Sequence, residues 1–146
     1  MKPVLYGTIV VGTLDAIDAI VIFGLRGSTP MRVFQGIASG WLGRASFAGG
    51  LPTALLGVLT HFFIAFAIVA IYYAASRKLS ALRRRPLGYG AAYGVAVYFF
   101  MNWVVIPLSA IGAVRFSWPL FVNGILIHIF GIGIPSALFA ARGENL

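Results

Sequence analysis

Four stretches of the chain are apolar almost throughout: residues 4–25, 51–75, 87–111 and 119–141. A helix needs about 20 residues to cross the hydrocarbon core of a bilayer, so each stretch predicts one transmembrane helix. The first begins behind a single Lys2, as a signal peptide would. It contains Asp15 and Asp18, however, and no small-x-small pattern follows its apolar part, so it is read as a retained span. The longest connection, residues 27–50, carries Ser28-Thr29-Pro30, a hydroxyl cap followed by proline in a first helical turn. Val33, Phe34, Ile37 and Trp41 then recur at helical spacing, which predicts a short amphipathic helix lying on the outer surface. The expected fold is all-α: a single transmembrane domain over residues 1–146, a four-helix bundle of two tandem hairpins with an interfacial helix between spans one and two.

Composition agrees with this reading. Of the 146 residues, 60% are hydrophobic and 10% charged, far from the balance of a water-soluble domain. Eleven Lys and Arg against three Asp and Glu give a net charge of +8, but too little polar surface remains for a nucleic-acid face. Membrane topology accounts for the basic residues. With four crossings, Lys2, Arg77, Lys78, Arg83, Arg84, Arg85 and Arg142 fall on one side and Arg26, Arg32, Arg44 and Arg115 on the other. The positive-inside tendency then puts both termini in the cytoplasm, with the basic 77–85 connection against anionic headgroups. Tyr6, Tyr72, Tyr73, Tyr89 and Tyr93 lie toward that side and Trp41, Trp103 and Trp118 toward the other, as interfacial rings do. Cysteine is absent, which excludes a disulfide framework and a thiolate metal site.

Two segments repeat. Gly57-Val58-Leu59-Thr60-His61-Phe62-Phe63 matches Gly124-Ile125-Leu126-Ile127-His128-Ile129-Phe130, and Tyr6-Gly7 opens the first span as Tyr89-Gly90 opens the third. The chain thus reads as a duplicated hairpin whose halves are related by an axis along the membrane normal.

Chemistry-bearing residues are few and concentrated. Asp15, Asp18, His61 and His128 all lie inside spans, where an ionisable group costs on the order of 2.5–3.5 kcal/mol and seldom faces lipid. At about 1.5 Å of rise per residue, all four and Asn102 fall in one layer roughly 10–15 Å from the outer span ends. Asp15 and Asp18, three residues apart, share a helix face. The second and fourth helices of an up-down bundle are usually diagonal, so the two histidines are expected to converge from opposite corners. Gly90, Gly94, Tyr98 and Asn102 form a stripe on the third span, and Pro107 and Pro135 predict local breaks.

Three functions fit such a layer. The first is proton- or cation-coupled transport or ion handling, with Asp15, Asp18, His61, His128 and Asn102 binding the ion. Paired carboxylates cannot both ionise cheaply in low dielectric, and histidine completes a relay. The second is a cofactor site: a divalent metal on Asp15, Asp18, His61 and His128, or a b-type haem held axially by His61 and His128, with a redox role. The third is a structural subunit of a larger membrane complex whose polar layer sets helix register. No Ser-His-acid pattern or phosphate-binding loop supports a hydrolase, and no enzyme is assigned.

The stretch from His61 through Tyr72-Tyr73, the basic connection, residues 88–107 and Gly124 to His128 resembles the last spans of small bacterial inner-membrane proteins of the YagU type. The likeness covers about the C-terminal two-thirds of the chain. It implies inner-membrane residence and a multi-span helical fold, and brings no catalytic or binding residues with it. A cavity for an organic substrate would need a second protomer, so a homodimer is expected, with the Gly90–Gly94 face as a candidate contact.

Overall fold

The structure, a computed structural model, describes residues 1–143. Among these residues the chain is helical with no strand. Helix α1 spans Lys2–Gly24 and α2 spans Pro30–Leu42, followed by a 3-10 segment, Gly43–Ala48. Helix α3 covers Gly50–Lys78 and the short α4 Ser80–Arg84. Helices α5 and α6 span Pro86–Leu108 and Trp118–Arg142. Helices α1, α3, α5 and α6 are each long and apolar enough to cross a membrane, and each leaves most of its surface uncovered. Large side chains such as Leu59, Phe63, Trp103 and Phe130 stand exposed.

The two spans with a proline deep in their interior widen where a carbonyl loses its partner. Pro107 has no N–H for the carbonyl four residues back, and the turn before it, Met101–Val105, opens into a π-helix. Pro135 does the same to His128–Gly133. The third span also stops at Leu108, three residues short of the predicted end. Ser109 is extended there and Gly112 turns the chain at φ 70°.

The four long helices alternate in direction. Gly7 and Gly12 of α1 meet Val69 and Phe62 of α3, and Gly90 and Gly94 of α5 meet Ala137 and His128 of α6. Helix α6 packs on α1, α3 and α5, whereas α5 rests chiefly on α6. The second and fourth spans are therefore neighbours and not the diagonal pair. Val11, Ala65, Val69 and Ile132 form the buried core where α1, α3 and α6 meet. Tyr72, Ala137 and Ala140 form a second cluster nearer the basic end.

Small residues set these distances. A methyl group on Gly94 would lie 2.0 Å from the His128 carbonyl oxygen, and one on Gly133 would lie 2.1 Å from that of Gly90, so α5 and α6 touch backbone to backbone. The Gly90–Gly94 stripe is thus consumed within the protomer. That corrects its expected role as a dimer contact.

Helix α2 starts as its sequence predicts, with Pro30 in the first turn and Thr29 accepting from the Arg32 amide. Its packing face is different from the expected stripe. Gln35, Ala38 and Ser39 are buried while Trp41 stays exposed. The reason is steric: α2 lies so close to α3 that a side chain at Gly57 would strike the Phe34 carbonyl, and only small or slender residues fit that seam.

At the other end, α4 folds back on α3. Arg83 donates to the Ser76 carbonyl at 2.6 Å, beside the last turn of α3 where a cation is favoured, and Tyr72 donates to the Leu82 carbonyl.

Candidate functional site

Asp15 is the hub of the polar residues. Its Oδ2 lies 3.9 Å from Nδ1 of His61, which reaches across from α3. Asp15 also stands within electrostatic reach of His128 and Asp18. Helix spacing puts Asp15 and Asp18 on one side of α1, and the antiparallel approach of α3 brings His61 opposite the turn that holds Asp15.

The orientation of His61 follows from its second nitrogen. Nε2 is 2.8 Å from the Gly12 carbonyl oxygen, and a carbonyl only accepts, so Nε2 carries the hydrogen. In the neutral ring Nδ1 is then the free lone pair, and it is the nitrogen turned to Asp15. The residue is 7% exposed, and its ring is flanked edge-on by Phe34 of α2 and Phe62 of its own helix. Gly12 leaves room for the Phe62 ring at this point. A methyl there would sit 2.6 Å from the Phe62 ring that closes one side of the imidazole.

The 3.9 Å gap is too long for a hydrogen bond, but one water molecule can bridge it. A cavity of about 20 Å³ adjoins the pair, lined by Asp15 and His61 and otherwise by Val11, Ile64, Ala65, Ile68 and Ile132. That is room for a water, in walls that are otherwise apolar.

Asp18 has a different partner. Its Oδ2 accepts from Nδ2 of Asn123 at 2.7 Å, which ties α1 to α6. Asn123 escaped the reading of the sequence, although a lone amide in an apolar span, directly before the repeated Gly124, was a visible signal. Asn102, expected to supply the amide of the layer, instead donates to the Tyr98 carbonyl of its own helix.

The two histidines of the repeat do not perform the same task. His128 Nδ1 donates to the Gly124 carbonyl one turn back on α6, and its ring sits edge-on to Tyr98 at 5.2 Å. His61 crosses to a neighbouring helix. Sequence identity at the two positions therefore hides a difference in hydrogen bonding that only the packing of α1 against α3 creates.

Among the described residues no three His, Asp or Glu side chains gather closely enough to hold a metal ion. Asp15 and His61 face each other, whereas Asp18 turns to Asn123 and His128 to its own helix. The cavity of about 20 Å³ beside His61 is not lined by His128. Comparison with family models, curated proteins and solved structures finds no match for this chain.

Proposed function

We propose that this protein is a multi-pass membrane protein that handles ions, with protons accepted and released at the Asp15–His61 pair. The observation that carries the reading is the committed geometry of His61: Nε2–H on the Gly12 carbonyl and Nδ1 toward Asp15 at 3.9 Å. Such a pair holds one mobile proton in two ways, as carboxylic acid beside neutral imidazole or as carboxylate beside imidazolium. A bridging water lets it pass between them. Asp18, bonded to Asn123, adds a second carboxyl group to this layer. His128 completes the group on the α6 side.

The membrane assignment rests on the length and apolar composition of the four long helices. Bacterial inner-membrane residence with cytoplasmic termini rests on the excess of Lys and Arg on one side, seven against four, and on the resemblance to YagU-type proteins.

The test is proton flux into vesicles that contain the purified protein and a pH-sensitive dye. Asp15→Asn should lower the flux at least about tenfold, since one carboxyl-to-imidazole transfer step is removed and general acid–base steps contribute about 10²–10⁴-fold. Flux that is unchanged in Asp15→Asn and in the double variant with Asp18→Asn would overturn the reading.

A further inference from the structure

Helix α2 lies against His61 through Phe34 and against α3 at Gly57, and the features of that segment converge on a movable part. Glycines with positive φ stand at each joint: Gly27 at 86° before α2, and Gly43 at 58° and Gly50 at 62° after it. Other residues adopt these angles only at a cost, so glycine sets the chain's turn on both sides of the helix. Between them α2 packs on α3 and adds several polar clasps. Gln35 Nε2 donates to the Gly50 carbonyl at 3.0 Å, Trp41 Nε1 to Thr60 Oγ1 at 2.9 Å, and the Ala110 amide to the Gly40 carbonyl at 3.0 Å. Phe34 is carried by this helix and lies edge-on to His61, with 6.3 Å between ring centroids.

We infer that α2 is a gate: seated, as here, it places Phe34 over His61 and closes the outer approach to the Asp15–His61 cavity, and swung about its glycine joints it admits water and ions. Gly57 is the seat, because any side chain there would collide with the α2 backbone. The clasps are directional but replaceable by water. Helix α2 packs on α3 more extensively than α1 does, so the seated position is the resting one and opening is a transient event. This inference rests on the ion-handling reading for its purpose, though not for its test.

The chain has no cysteine, which gives a clean background for thiol chemistry. Ile64 lines the cavity, so an Ile64→Cys reporter reads access through its rate of labelling by a small charged methanethiosulfonate added from the outer side. Removing the cover with Phe34→Ala should speed labelling at least about tenfold. For the opposite change, a β-carbon on Gly40 lies 3.8 Å from that of Ser109, the usual separation across a disulfide. Gly40→Cys with Ser109→Cys should therefore lock α2 to the outer end of α5 on oxidation, slow reporter labelling at least about tenfold, and release it on reduction.

Equal labelling rates in the parent reporter, the Phe34 variant and the oxidised lock would overturn the gate. So would failure of the Gly40–Ser109 pair to cross-link, or a reporter that never reacts. Failures of the two readings separate cleanly. Labelling that follows α2 while Asp15→Asn leaves proton flux intact removes the ion reading and keeps the gate. Flux that depends on Asp15 but ignores the lock does the reverse.

Discussion

Replacing Gly94 by alanine tests whether α5 and α6 meet at their backbones. The added methyl would lie 2.0 Å from the His128 carbonyl oxygen, 2.6 Å from its carbon and 3.0 Å from Ile129 Cα, all of them main-chain atoms that no rotamer change can move. Contact between such atoms requires about 3.5 Å, so the helices must part by more than about 1 Å along the seam that also holds Gly90 and Gly133. Overpacking of this kind costs about 1–3 kcal/mol. Gly88 of the same helix is the internal control, because nothing lies within 4 Å of a methyl placed there. Gly88→Ala should gain about 0.5–1 kcal/mol from helix propensity alone. The propensity gain is common to both positions, so the two variants should differ by the overpacking cost, about 1–3 kcal/mol. Helicity followed by circular dichroism as the detergent-solubilised protein is unfolded with increasing dodecyl sulfate reads this directly. Equal midpoints for Gly88→Ala and Gly94→Ala would refute the close crossing, and with it the seating of His128 against α5.

Other consequences are as specific. Asn123→Leu should destabilise the protein by about 1–3 kcal/mol, because the Asp18 carboxylate is left without its donor. Combining it with Asp18→Leu should recover most of that loss, which a double-mutant cycle in the same unfolding assay measures. Tyr93 donates to the Ile68 carbonyl at 2.7 Å and ties α5 to α3, so Tyr93→Phe should cost about 0.5–1.5 kcal/mol in that assay. Thr60→Val removes the acceptor for Trp41 at nearly constant volume; it should raise labelling of the Ile64→Cys reporter less than Phe34→Ala does, since Gln35 still clasps α2.

The order and type of the elements could be read from one dimension, because runs of apolar residues long enough for a bilayer leave few alternatives to helix and loop. The four long helices begin and end within about three residues of the predicted limits, with α2 between the first two. The start of α2 was legible as well, since hydroxyl cap and proline act on the backbone within one turn. Asp15 and His61 were legible as chemistry because ionisable groups in apolar runs stand out against their surroundings.

What faces what was decided in three dimensions. Asp15 could have paired with either histidine, and the choice of His61 follows from α1 running antiparallel to α3 with Gly12 at the contact. Asn102 and Asn123 are the same side chain in similar apolar settings, yet one turns back to its own helix and the other bonds Asp18, because α6 packs on α1 while α5 rests chiefly on α6. Likewise the stripe on α2 marked an amphipathic helix but not its buried side. Periodicity records how apolar a face is, while the closeness demanded at Gly57 selects for small residues there. Apolar length and local capping belong to the sequence by itself. Partner, rotation and separation belong to the tertiary structure, because lipid and protein interior reward apolar side chains almost equally and only shape distinguishes them.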